Sequence, residues 1–281
     1  MPPCSQIFRC DVDCATNPTS CINHILYQQQ TDAIVKGGFL AAGYNQVSID
    51  DCWERRGPGG PHGNETWRTD PDSGRVNGTL VPNSTRFPEG LKALGDYMHN
   101  QGVYFGIYSD AGTMTCGGYP GSQHHEKQDA ATLASWGVDY LKLDACNIPN
   151  DTKPDRSSPL FPQDFAAMGK AIGECGRNMT YSCSWPAALG NNETAKPFAA
   201  LIADGCNLWR NWHDIGCGWS SVSSIIDHWG DYGPSLAKTG GLHGDPGAAG
   251  GKHHTARFLY PIFRHVCKHD AGLSVHAHPR V

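Results

Sequence analysis

The amino-acid sequence predicts an α/β chain whose parallel strands close into a (β/α)8 barrel. Short apolar segments rich in β-branched and aromatic residues alternate with longer segments of helical spacing. Strand starts recur every 30 to 60 residues or so, the interval a crossover helix needs between parallel neighbours. Polar residues also collect at the C-terminal ends of successive strands, the ends that converge on one mouth in a barrel.

Taken in chain order, a helical pattern over Asn23–Ala41 precedes a strand over Tyr44–Asp50, and Pro88–Gln101 precedes Tyr104–Asp110. Lys127–Trp136 then leads to the strand Tyr140–Asp144, and Gln163–Cys175 to Met179–Trp185. A weaker helical pattern over Lys196–Asp204 precedes Leu208–Trp212, and Ser220–Gly230 is helical again. An open doubly wound sheet would satisfy the same alternation. It would want a Gly-rich phosphate turn after its first strand, however, and Asp50, Asp51, Cys52 and Trp53 follow Ile49 instead. The strand ends carry Asp50 with Asp51, Tyr108 with Asp110, Lys142 with Asp144, Ser184 with Trp185, and Arg210 with Asp214. These favour the barrel.

Composition narrows the function classes. The 281 residues hold 22 basic against 27 acidic side chains, net −5, so no basic stripe exists to bind a nucleic acid. Apolar runs such as Phe198–Ala203 fall far short of the roughly 18 residues a membrane span requires. Among the 12 Cys, the spacing Cys10, Cys14, Cys21 reads as local disulfide staples; a zinc site would need a second well-spaced pair that does not follow. Six Asn-x-Ser/Thr sequons, at Asn64, Asn77, Asn83, Asn150, Asn178 and Asn192, together with the Cys content, favour an oxidising secretory route. Met1 to Cys4 lead straight into polar sequence without the pattern of an export signal.

The chain divides into 1–239, the barrel, and a divergent tail, 240–281. The tail carries seven of the 14 His and two acids, Asp245 and Asp270, and its periodicity fits neither helix nor strand. A metal-binding His tract is one reading, disfavoured by irregular spacing. An altered reading frame, an alternative exon or an assembly error is the expectation for this segment.

An acid-rich mouth with several Trp and Tyr, no phosphate loop and no Gly-x-Ser-x-Gly elbow points to carbohydrate chemistry. Aromatic faces cover the apolar side of a sugar while carboxylates, Lys and Arg hold its hydroxyls. Glycosidic cleavage passes through an oxocarbenium-like transition state that two carboxyl groups flank. Singly, Asp50, Asp144 and Asp214 would read as helix caps or turn residues. Five successive polar strand ends outweigh that alternative.

The segments 44–53 (YNQVSIDDCW), 106–110 (GIYSD), 116–122 (CGGYPGS), 140–146 (YLKLDAC), 181–186 (YSCSWP) and 207–215 (NLWRNWHDI) are ordered and specific. Through them the chain, from about Phe8 to Leu236, resembles the α-galactosidase and α-N-acetylgalactosaminidase family of retaining glycosidases, closest to the latter. The resemblance implies a (β/α)8 barrel followed by an antiparallel β-domain, with no cofactor and no metal. It implies Asp144 as nucleophile and Asp214 as acid/base, their carboxyl groups roughly 5 to 5.5 Å apart. Asp144 must be ionised to attack, which the Lys142 cation two residues earlier on the same face favours. Asp214 must first donate a proton and then accept one. Asp50 and Asp51 match the pair that grips sugar hydroxyls, with Tyr108, Lys142 and Arg210 completing the contacts. Implied disulfides join Cys10 with Cys52, Cys14 with Cys21, Cys116 with Cys146 and Cys183 with Cys206, leaving Cys4, Cys175, Cys217 and Cys267 unassigned.

Ser184 and Ala187 match the positions that select the substrate. Small residues there leave room for an acetamido group, where galactose-specific members carry Glu and Leu. The implied substrate is a terminal α-linked N-acetylgalactosamine, and more weakly α-galactose, on glycolipids, glycoproteins or oligosaccharides, in a lysosome or outside the cell. Ala188 stands where the family commonly has Tyr. Met1–Ser5 replaces the family's first strand and its Trp, and at Gly240–Gly247 only Asp245 and Pro246 remain of a later motif, with Gly247 in place of a second Asp. The barrel is therefore expected to be incomplete, first and last strands missing or altered, and the C-terminal β-domain absent. The family admits a homodimer. An α-galactosidase, and an inert isoform that at most binds sugar, are the alternative functions.

Overall fold

The computed structural model describes residue 10 and residues 12–55, 74–149, 160–214, 218–237 and 273–277. Helix α1, His24–Lys36, opens where the Asn23 side chain accepts the Leu26 N–H at 2.9 Å. It ends five residues before Ala41 because Gly37 and Gly38 follow, and Gly38 takes φ of +75°. The order continues β1 (Tyr44–Ile49), α2 (Gly90–Asn100), β2 (Tyr104–Asp110), α3 (Glu126–Ser135), β3 (Tyr140–Asp144), α4 (Leu160–Glu174), β4 (Thr180–Cys183) and α5 (Trp185–Ala188). A 3-10 turn at Glu193–Ala195, α6 (Phe198–Ala203), β5 (Leu208–Trp209), α7 (Trp219–Ala237) and β6 (Leu273–Ala277) complete it.

The sheet order is β5-β4-β3-β2-β1-β6. β1 to β5 pair in parallel, each with its successor, through crossover helices, so five strands form a curled part of a (β/α)8 barrel. β6 runs antiparallel to β1. Five residues of the tail thus form a strand, contrary to the expectation drawn from its periodicity. Leu273-Ser-Val-His-Ala277 does alternate with period two, a pattern too short to stand out among the surrounding His and Gly.

Alternation along the strands sets the two faces of the sheet. Val47, Ile49, Phe105, Ile107, Leu141, Leu143, Tyr181, Cys183 and Trp209 are buried in one core with Ile34 of α1, Leu91, Leu94 and Met98 of α2, Leu133 of α3, and Phe165 and Met168 of α4. The Tyr181 hydroxyl reaches the Phe165 carbonyl at 3.0 Å, joining β4 to α4. The intervening residues, Gln46, Ser48, Gly106, Tyr108, Lys142 and Ser182, occupy the other face, which is polar. Gly106 is required there, because a Cβ would stand 2.0 Å from the Ser48 hydroxyl oxygen.

Among the described residues there are four disulfides: Cys10–Cys52, Cys14–Cys21, Cys116–Cys146 and Cys183–Cys206. Cys175 is free; Cys4, Cys217 and Cys267 lie outside the described residues, as do sequons Asn64 and Asn150. Asn77, Asn178 and Asn192 are exposed. Among the described residues no helix is long and apolar enough to cross a membrane.

Candidate active site

The polar face ends in carboxylates because β1 stops just before Asp50, β2 on Asp110 and β3 on Asp144, while Ser184 follows β4 and Arg210 follows β5. Register fixes their neighbours: Tyr108 lies opposite Lys142, and Asp110 opposite Asp144. Asp144 is only 8% exposed, and one of its oxygens accepts the N–H of Ala145 at 2.9 Å. The Lys142 ammonium lies 2.8 Å from Asp50 Oδ2 and 4.9 Å from the centre of the Tyr108 ring. Burial alone would lower the pKa of this ammonium; the carboxylates of Asp50 and Asp144 outweigh burial and hold it above its ordinary value. Lys142 therefore stays a cation between the two acids.

Asp51 is buried and accepts the N–H groups of Gly117 at 2.6 Å and Cys52 at 2.7 Å. Burial pushes its carboxyl up to about 6, while the Thr115 hydroxyl and the Gly117 N–H pull it back. Cys52, next along, takes φ of +76°, a costly conformation for a residue with a Cβ; it is held between the Cys10 disulfide and the Asp51 carboxyl. The Cys116–Cys146 disulfide roofs the cluster. Its Cys116 sulfur accepts the Tyr108 hydroxyl at 3.3 Å and lies 3.8 Å from Asp144 Oδ2. Asp110 with Cys116 and Cys146 groups atoms of metal-ligand type. Both sulfurs are in that disulfide, so no thiolate is offered.

Ser184 is buried immediately after β4, its N–H bonded to the Leu143 carbonyl at 2.9 Å. Ala187, in α5, donates its N–H to the Arg210 carbonyl at 3.0 Å, and Arg210 donates its own to the Cys183 carbonyl at 3.0 Å. Arg210 pairs with Asp214, whose side chain is 59% exposed. The structure thus gathers Asp50, Asp51, Tyr108, Lys142 and Asp144 into one contact network. Ser184, Ala187 and Arg210 form an adjoining backbone-linked group, and Asp214 contacts Arg210.

Two further acids belong to this end of the sheet. Asp110 is fully buried and accepts the N–H groups of Gly112 at 2.8 Å and Cys146 at 3.0 Å. Burial, then the neighbouring Asp144 charge, pushes its carboxyl well up. Its place two residues after Tyr108 was a signal that it shares the site's face, though it was assigned no role. Glu54 is 0% exposed and, among the described residues, neither carboxylate oxygen has a hydrogen-bond partner; burial, then Asp51, pushes it well up too. No sequence signal marked Glu54, because its burial is made by distant packing.

The profile described as alpha galactosidase A, a melibiase family, matches residues 5–247. An alpha-N-acetylgalactosaminidase from Gallus gallus is 40% identical over 221 residues, 78% of this chain and 48% of that protein. Alpha-galactosidase A from Homo sapiens is 36% identical over 220 residues, 78% of this chain and 46% of that protein. The chain spans about half the length of these curated relatives. The crystal structure of alpha-galactosidase I from Mortierella vinacea aligns with a TM-score of 0.56 at 34% identity, covering 70% of this chain and 43% of that one. Parallel strands ending in carboxylates, the profile match over most of the sequence and these relatives agree: the chain belongs to the melibiase family of glycoside hydrolases.

Proposed function

We propose that the protein hydrolyses terminal α-linked N-acetylgalactosamine, and α-galactose more slowly, by a retaining double displacement. The observation that carries this is the setting of Asp144: a nearly buried carboxylate at the end of β3, beside the Lys142 cation that also holds Asp50. Asp144 attacks the anomeric carbon and forms a glycosyl ester. Asp214 protonates the departing oxygen, then takes a proton from the water that cleaves the ester. Asp50 and Asp51 accept sugar hydroxyls, Tyr108, Lys142 and Arg210 complete the pocket, and the Cys116–Cys146 bridge fixes its rim.

The small side chains Ser184 and Ala187 support the N-acetylgalactosamine preference: they leave volume beside the second carbon of the sugar, and Ser can hydrogen-bond the acetamido group. Similarity to human alpha-galactosidase A keeps α-galactose as the second reading. The four disulfides support a secretory or lysosomal setting. The test compares aryl α-N-acetylgalactosaminide and aryl α-galactoside on one preparation. A kcat/KM ratio above unity in favour of the former is expected; a ratio below unity moves the assignment to α-galactosidase, and no turnover of either leaves at most sugar binding.

A further inference from the structure

The loop after β5 carries Arg210 and Asp214, and a buried polar cluster that none of the site residues belongs to grips it from beneath. Glu193, in the 3-10 turn, is 3% exposed. One of its oxygens accepts the Lys196 ammonium at 2.7 Å and lies 3.1 Å from His228 Nε2 of α7; the other accepts the Asn211 side-chain amide. Lys196 also donates to the Asn211 backbone carbonyl at 2.6 Å. The Trp212 ring stacks on the His228 ring, centroids 3.6 Å apart and planes 15° from parallel. Residues 211 and 212, directly between Arg210 and Asp214, are therefore both clamped.

The geometry points to Glu193 as a positioning residue for the acid/base: it ties the segment 210–214 to α7 and so aims Asp214. This rests on the reading of Asp214 given above. One carboxylate receives three donors from three places in the chain, so no other group can replace it without leaving a buried donor unmade. Above Asn211 the loop has two further backbone anchors, Asn207 N–H to the Tyr181 carbonyl at 2.8 Å and Arg210 N–H to the Cys183 carbonyl at 3.0 Å. The Arg210 guanidinium holds the Asp214 carboxylate itself, and the clamp on residues 211 and 212 fixes the backbone that carries it.

A positioning role separates from a merely structural one by leaving group. Departure of an alkoxide needs the proton Asp214 supplies; departure of dinitrophenolate needs it little. In the whole chain, Glu193→Gln is expected to lower kcat/KM, which reports only the step that forms the glycosyl ester, about tenfold more on an alkyl α-N-acetylgalactosaminide than on the dinitrophenyl one. Amide hydrogen exchange over 207–214 is expected to quicken about tenfold while β2 and β3 stay protected. His228→Phe, which keeps the stack on Trp212 and loses the contact to Glu193, is expected to move both readouts the same way by less, and it carries the test if Glu193→Gln exchanges everywhere. Equal losses on the two substrates, or unchanged exchange over 207–214, overturn the inference. Should the unsubstituted chain cleave neither glycoside, the hydrolase reading fails and the exchange comparison alone decides the clamp: quickening confined to 207–214 upholds it, and no change removes it.

Discussion

Asp144 and Lys142 stand two residues apart on one strand, and that spacing alone puts them on one face. The roles proposed for them differ: Asp144 is to bond to the sugar, and Lys142 keeps a positive charge beside it. Asp144→Asn removes the nucleophile while keeping the shape, so kcat/KM is expected to fall by about four orders of magnitude or more, with the melting temperature nearly unchanged. Residual turnover above a tenth of the parent rate, in preparations shown free of deamidated protein, contradicts the assignment. Specificity belongs to the same scale. Ser184→Glu combined with Ala187→Leu fills the volume assigned to the acetamido group, so the ratio of kcat/KM values should shift towards α-galactoside by roughly 10- to 200-fold, the range a pocket contact of this size commands. An unchanged ratio would show that the acetamido group sits elsewhere.

Elements are held by a few buried polar ties as well as by the core. Arg75 pairs with Asp129 of α3 at 2.6 Å, both side chains essentially unexposed, and also donates to the carbonyls of Gly78 and Gly121 at 2.8 and 2.6 Å. Asp129→Asn leaves that guanidinium buried without its counter-charge, at an expected cost of about 3 to 5 kcal/mol in denaturant unfolding. Lys92 and Asp96 make an equally short contact, 2.7 Å, on the exposed surface of α2. Asp96→Asn should cost less than about 0.5 kcal/mol, since water screens the pair and entropy opposes it. Equal losses in the two variants would mean that burial is not what separates them. Elements also show where sequence reading succeeds. β2 and β3 were legible to the residue, because Tyr104–Asp110 and Tyr140–Asp144 each open on Tyr, carry an apolar run and stop on Asp. β5 shrank from five expected residues to Leu208–Trp209, since the Arg210 carbonyl accepts the N–H of Ala187 in α5 and the Asn211 carbonyl accepts the Lys196 ammonium. The Glu193 cluster was illegible: its members lie as far as 35 residues apart, and no local period links them.

Across the whole molecule, several acids hold protons in the folded state that they would release on unfolding. Asp51 stands at about 6 against an ordinary 3.8, and Glu54 and Asp110 are also pushed up, each chiefly by burial. A raised folded value contributes stability that is fully present below the unfolded pKa and lost as pH rises through the folded one. Stability is therefore expected to fall between about pH 4 and pH 7, with Asp51 alone contributing on the order of 3 kcal/mol. Asp32 acts in the opposite sense: the Lys36 and Tyr97 hydrogen bonds lower it from 3.8 to about 2, so its support is present above the unfolded value and is lost as pH falls from there through about 2. Unfolding midpoints at pH 4.5 and 7.5 check the sign; a higher midpoint at pH 7.5 would contradict it. None of this was readable from the sequence, which shows that acids end the strands but not that the Gly117 N–H, the Thr115 hydroxyl and the Cys10–Cys52 bridge close over Asp51. The order of β1 to β5 was readable, because each crossover helix leaves its strand beside the last; β6, antiparallel against β1, was not.

The central claim is that the Asp144 carboxylate forms a covalent bond to the anomeric carbon. Incubating the full chain with an activated fluorinated α-N-acetylgalactosaminide or α-galactoside, whose glycosyl ester hydrolyses slowly, and mapping the adduct by peptide mass spectrometry tests it directly. The account predicts one sugar per chain, on the peptide spanning 140–146 and at Asp144. An adduct on any other carboxylate, or inverted product with no adduct at all, would contradict it.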